Sequence, residues 1–157
     1  MSIPSNIAWF WDAFLAEVGE DCSDRLFEAF HFDDNEADAN EHADLVLAGV
    51  KRATASLVWS LEGAGTTPPE PGALSVVTYW NGSPVCIIET QEVKVLPFEQ
   101  VTAEFAAVEG EGDRSLEYWR RVHWAYFGRE CVRIGREPSL TMPVVCERFN
   151  VLYRATA

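Results

Sequence analysis

Asn81-Gly82 stands between two runs rich in β-branched and aromatic residues, 74–80 and 85–90, and no other stretch leaves the chain so few options. An Asn-Gly pair supplies the positive φ angles that a tight turn needs, so the runs are predicted to pair as a β-hairpin, with strand structure continuing to about Leu96. Helical patterning lies on either side. Ile7, Phe10, Trp11, Phe14 and Val18 recur at helical spacing after a cap at Ser5, with Gly19 as a stop, and Ala39, Ala43, Val46, Leu47 and Val50 mark a second helix over about 38–48. Residues 25–32 are short and apolar. The acids at 33–36 suit a helix N-terminus and lack the mid-loop glycine and closing glutamate of a calcium loop. The Gly/Pro-rich segment 62–72 reads as a surface loop. Beyond the hairpin, Pro97-Phe98 opens a predicted helix carrying Val101, Phe105 and Val108. A longer helix starts at Asp113 or Ser115 with Leu116, Trp119, Val122, His123, Tyr126 and Phe127 on it, and 143–153 makes a closing strand. Helices, strands, helices and a strand describe an α+β domain in which strands of both halves close a small β-barrel.

At 157 residues the chain has the size of one domain. Its net charge of -13 opposes a general nucleic-acid coat, because sequence-independent phosphate binding needs clustered Lys and Arg. Arg120, Arg121, Arg129, Arg133 and Arg136 are read either as one local positive edge or as ordinary helix-surface charges. Four scattered cysteines form no CxxC pair and signal reduced, buried thiols, without a zinc or redox motif. The first residues lack a secretory pattern and no apolar run reaches membrane-spanning length, which predicts a cytoplasmic protein with no membrane partner.

The chain has only two lysines, Lys51 and Lys94, and Lys51 follows Gly49 at a helix exit with Thr54 three residues later. On such an exit the two side chains converge, and a lysine whose pKa is depressed by burial acts as a base toward a neighbouring hydroxyl. The alternatives are a surface or ion-pair lysine and a plain strand threonine. Glu109-Gly110-Glu111-Gly112-Asp113 alternates acids with glycines, a poor pattern for helix or strand. Glu109 turned inward would pair with Lys51, three acids facing one cavity would suit a divalent ion such as magnesium, and the bland reading is a solvated helix N-terminus capped by Asp113 or Ser115. Arg114 and Ser115 are candidate phosphate or carbonyl contacts at that helix start. His123 shares a helix face with Trp119 and is read as a packed or hydrogen-bonded core-edge histidine, while His31 and His42 carry no motif. Neither a nucleophile elbow nor a GxxxxGK loop is present.

Residues 47–56 around Lys51, the Pro71-Gly72 turn, and above all 107–119 around the acidic glycines with His123 after them, resemble the ASCH domain over about Asp38 to Tyr153. The resemblance implies a PUA-like fold, a small β-barrel with helices around a cleft, at 38–157, with 1–37 as an N-terminal helical extension that covers the cleft or makes a homodimer contact. Compact members hydrolyse the amide of 4-N-acetylcytidine with a lysine, a threonine and a glutamate, which fall on Lys51, Thr54 and Glu109. Under that reading Thr54 attacks, Lys51 moves the proton and Glu109 tunes the lysine, while Ser56, Trp59, Glu111, Arg114, Ser115 and Trp119 contact a nucleoside-like substrate without a cofactor. Other members resemble ribonucleases acting on single-stranded RNA, for which a divalent metal is implied, or non-catalytic RNA-binding modules.

Overall fold

A computed structural model describes residues 3–155. Its elements in chain order are α1 (Ala8–Val18), β1 (Leu26–Phe30), α2 (Glu36–Leu47), β2 (Ala53–Leu57), α3 (Val58–Gly63), β3 (Leu74–Thr78), β4 (Pro84–Pro97), α4 (Ala103–Glu109), α5 (Leu116–Ile134) and β5 (Pro143–Arg154). The predicted hairpin is β3 and β4, antiparallel, but β3 ends at Thr78 and within the 79–83 turn only Gly82 takes a positive φ, 89°, where both Asn81 and Gly82 were expected to. The five strands form one sheet in the order β1-β3-β4-β5-β2, with β1 parallel to β3 and the other neighbours antiparallel.

The mixed α+β class agrees with the sequence reading, but among the described residues no ladder joins β1 to β2, so the sheet stays open where a closed barrel was expected. Both edge strands are only five residues long, and side chains of a cleft stand between them. Leu26–Phe30, to which the sequence assigns no type, and Thr54, read either at a helix exit or as a plain strand residue, both lie in these edge strands.

Three apolar clusters hold helices on the sheet. Phe10, Trp11 and Phe14 of α1 meet Leu74, Val76 and Ile87. Ala43 and Val46 of α2 meet Val77, Cys86, Ile88 and Phe149. β3 is thus covered on both faces, which is why every residue in it is buried. The third cluster joins Phe105, Trp119 and Phe127 of α4 and α5 to Ala53 and Leu57 of β2. Alternation along β2 therefore sends Ala53, Ala55 and Leu57 toward this core and Thr54 and Ser56 to the opposite side.

Helix ends differ in detail from expectation. Ser5 makes no side-chain cap and instead begins a 3-10 turn, Ser5–Ile7. Asn35 caps α2 by accepting from Asp38 N–H. Pro97-Phe98 opens only a 3-10 turn, and α4 starts later behind the cap of Thr102. Ser115, not Asp113, caps α5 by accepting from Tyr118 N–H at 3.0 Å. A short α3 occupies the first part of the expected loop, ending at Gly63. All four cysteines are buried and free, and no described helix is long and apolar enough to cross a membrane.

Candidate functional site

Lys51 sits between α2 and β2, where the chain is gripped on both sides. Its own N–H reaches Leu45 O at 3.1 Å, while the next residue donates from Arg52 N–H to Val108 O at 2.9 Å and accepts from Phe149 N–H at 3.1 Å. The grip brings the end of α4 against Val50 and Lys51. Gly110, at φ 75°, closes α4 there, and a β-carbon on it would lie 2.3 Å from Val50 O, so this position demands glycine for both conformation and space.

The consequence is an ion cluster under the sheet edge. The Lys51 ammonium, fully buried, donates to Glu109 Oε2 and Glu111 Oε2, each at 2.6 Å, and stands 5.1 Å from the centroid of the Phe32 ring. Glu109 Oε1 accepts from Trp119 Nε1–H at 2.8 Å and faces His123 Nε2 at 3.2 Å. His123 stacks on Trp119 with ring centroids 4.1 Å apart, and its Nδ1 lies 2.9 Å from Trp119 O. On the far side, His42 Nδ1 bonds Asp33 while its Nε2 lies 3.7 Å from Glu111 Oε1. The two oxygens facing the His123 ring nitrogens are acceptors, a setting that suits the imidazolium.

These contacts set the charges. Burial opposes the Lys51 charge, but Glu109 and Glu111 outweigh it and hold the ammonium above the ordinary lysine range. This direction is opposite to the depressed pKa expected for Lys51, whose ammonium is held by both carboxylates. Burial would likewise raise Glu109, yet Lys51 and then His123 keep it well below the usual carboxylate range. Glu111 is pushed upward, first by burial and also by the Glu109 charge, against the pull of Lys51. Burial disfavours the charged forms of both histidines, but Glu109 raises His123, and Asp33 with Glu111 raises His42.

Glu109, Glu111 and His123 open onto a cleft of about 130 Å³ between the edge strands, together with Thr54, Ser56 and Glu147. Phe27, Phe30, Phe32 and Tyr126 supply its apolar walls. Glu28, Asp33, Glu109, Glu111 and Glu147 are its acids, and neither Lys nor Arg lines it. A more open hollow of about 400 Å³ lies beside it against the 67–73 loop, but its one cation, Arg25, is tied to Glu89 and to Gly72 O.

The structure brings Lys51, Glu109 and Glu111 into one cluster and puts Thr54 and Ser56 in the cleft that this cluster borders. Besides Lys51, which is buried behind the carboxylates, four sequence candidates do not line the cleft. Trp119 is buried as a donor to Glu109 and so offers no face to a ligand; Trp59 carries Arg136 over its ring at 4.4 Å; Ser115 is a helix cap; Arg114 is exposed at φ 66°. Asp113 is exposed and accepts from Ser115 N–H, so the three acids do not share a cavity. His123 takes the third place beside Glu109 and Glu111, with ligand atoms within 4.8 Å of one another. The Lys51 ammonium is bonded to both carboxylates of this set.

Sequence reasoning missed Asp33, His42 and Glu147, and read His123 as a packed or hydrogen-bonded core-edge histidine, which leaves out its place beside Glu109. Glu147 left a signal: it is the charged residue on the alternating face of β5 that otherwise carries Val145 and Phe149. The late arginines are partnered, Arg129 with Asp34, Arg133 with Glu130, Arg136 over Trp59 and Arg121 over Tyr118, which fits helix-surface charges and gives no open positive edge.

The ASCH domain family model matches residues 28–153, from β1 to β5 and through every lining residue of the cleft except Phe27. The chain belongs to the ASCH domain family. An ASCH domain from Lactobacillus crispatus JV V101, known from a crystal structure, is 39% identical over 98% of both chains with a TM-score of 0.89. A protein of Enterococcus faecalis V583 is 27% identical over 95% of this chain and 89% of its own, with a TM-score of 0.87. No curated protein matches. The ASCH assignment brings the PUA-like fold, here with an open sheet.

The buried groups of this ASCH domain make its stability pH-dependent. Burial, with Glu28 nearby, pushes Glu147 up to about 7 despite the bond from Thr90, so between about pH 4.5 and 7 the native state holds a proton that the unfolded chain has lost. Stability from this group falls as pH rises through that window. The raised His123 and His42 act in the same direction: their contribution is full below the ordinary 6.5 and is lost as pH climbs through their folded values. Glu109 acts oppositely, its contribution being lost as pH drops from 4.5 toward its depressed folded value. The midpoint of thermal unfolding is expected to peak near about pH 5 to 6 and decline on both sides; a midpoint that rises steadily to pH 8 would contradict these charge assignments.

Proposed function

We propose that this ASCH domain is a hydrolase of a small, uncharged amide of the acylated-nucleoside kind, with Thr54 as nucleophile. The observation that carries the reading is the buried Lys51, Glu109 and Glu111 cluster beside a hydroxyl-bearing cleft. Sequestering three ionisable groups costs several kcal/mol per ion before their attraction is counted, and such clusters concentrate where charge is used. The cleft volume fits one planar ring with its acyl group, and the aromatic walls suit a base. Its acids disfavour a polyanion, which places the ribonuclease and RNA-binding alternatives second.

In this reading Thr54 Oγ1 attacks the acyl carbon and the amide C–N bond breaks, leaving an acyl-threonine ester that water then hydrolyses. Because Lys51 is held as an ammonium, the proton of Thr54 passes to a carboxylate of the cleft and from there to the leaving nitrogen. Lys51 fixes Glu109 and Glu111 and keeps the field of the site close to neutral. The test is acetate release from 4-N-acetylcytidine by the wild-type chain and by Thr54→Ala. Turnover lost in the variant supports the assignment, and equal rates, or no release by wild type, overturn it. Under the RNA-binding alternative, RNA binding with a steep salt slope would accompany absence of turnover.

A further inference from the structure

Thr54 and Glu147 are directly paired across the β2–β5 ladder. Residues directly opposite in an antiparallel pair project to the same face with β-carbons about 5 Å apart, and both side chains line the cleft. Glu147 is held from one side only: Thr90 Oγ1 donates to its Oε2 at 2.7 Å. No hydrogen bond to its Oε1 is found among the described residues. Glu109, by contrast, has both oxygens occupied, and Glu111 is tied to Lys51. Of the cleft's carboxylates, Glu147 alone is set opposite the hydroxyl by strand register.

We infer that Glu147 is the general base of this site, taking the proton of Thr54 Oγ1 as the acyl–oxygen bond forms and delivering it to the amine nitrogen as the C–N bond breaks. The inference rests on the hydrolase reading. In the second half Glu147 takes a proton from the attacking water and returns one to Thr54 as the ester breaks, so the acid leaves and the site is restored. Thr90 is a positioning residue that directs the free oxygen toward β2. The groups around Glu147 are Glu28 from β1, His31 beyond it, Glu109 and Glu111 from the acidic loop, His123 from α5 and the buried Lys51. Burial and Glu28 favour its neutral form, which brings its titration close to neutral pH, where a base is most effective.

The experiment compares wild type, Glu147→Gln and Glu147→Asp in two assays across pH 5 to 9. One measures acetate release from 4-N-acetylcytidine; the other measures acetylation of Thr54 by p-nitrophenyl acetate, read by intact mass and peptide mapping. Glutamine still accepts from Thr90, so the fold is retained, and unchanged far-UV circular dichroism checks it. Glu147→Gln is expected to lose about 10²–10⁴-fold in both rates and to lose the rise in rate through about pH 7, with aspartate restoring part of each. Glu147→Gln that hydrolyses acetylcytidine at the wild-type rate overturns the inference and leaves the hydrolase reading standing. Acetylation of Thr54 that depends on Glu147 without turnover of acetylcytidine supports the base and removes the nucleoside substrate. Absence of both activities in wild type overturns both.

Discussion

Lys51→Met is expected to destabilise the chain by about 3–5 kcal/mol, since it removes the cation from a buried cluster and strands the Glu109 and Glu111 carboxylates. Methionine keeps most of the stem's volume, so the loss reports charge and not a cavity. Urea denaturation at pH 7 measures it. Two further readings separate the electrostatic cause from simple misfolding. Adding Glu109→Gln to Lys51→Met should recover part of the loss, because the uncompensated charge goes with the carboxylate. The loss should also shrink at pH 5, where Glu111, already raised, takes up a proton. A Lys51→Met chain as stable as wild type would mean that the cluster is not sequestered as described.

Gly110→Ala is expected to cost about 3 kcal/mol or more, combining a left-handed backbone with a direct clash. Its new β-carbon would meet Val50 O at 2.3 Å, and that neighbour is backbone with no freedom to swing aside. Gly135 is the control. It closes α5 at the same φ of 75° with nothing within 4 Å of an added β-carbon, so Gly135→Ala should lose only about 1 kcal/mol, the conformational share alone. Chemical denaturation of the two variants compares them. Equal losses would mean that Gly110 is required for its conformation only, and that the contact with Val50 relaxes freely.

How much of this was legible in the sequence depended on range. The β3–β4 hairpin and α5 could be read because their signals are local: an Asn-Gly turn, and apolar residues recurring at helical spacing. The meeting of Lys51 with the acidic glycine segment could also be anticipated, since two lysines in the chain and an acid-glycine alternation are both unusual. β1 and β2 were not legible as edge strands, because five residues are too few to display alternation and their pairing partners lie far along the chain. The protonation of Lys51 was misread for a related reason: burial alone lowers a lysine, and only two carboxylates arriving from elsewhere reverse the sign. Ser115 and Trp119 were assigned to ligand because a hydroxyl at a helix start and an indole on a helix face suit either role. The structure spends one on a cap and the other on Glu109. Glu147 went unnoticed because what distinguishes it is the residue opposite, which register alone discloses.

Arg52, bonded on one side to Val108 and on the other to Phe149, ties three remote parts of the polypeptide at one residue. Neither half of the molecule holds a working pocket by itself. A partly folded chain, a proteolytic fragment or a nascent chain still awaiting β5 would lack the floor, the wall or the lysine's companions. The complete cleft is thereby reserved for the finished molecule.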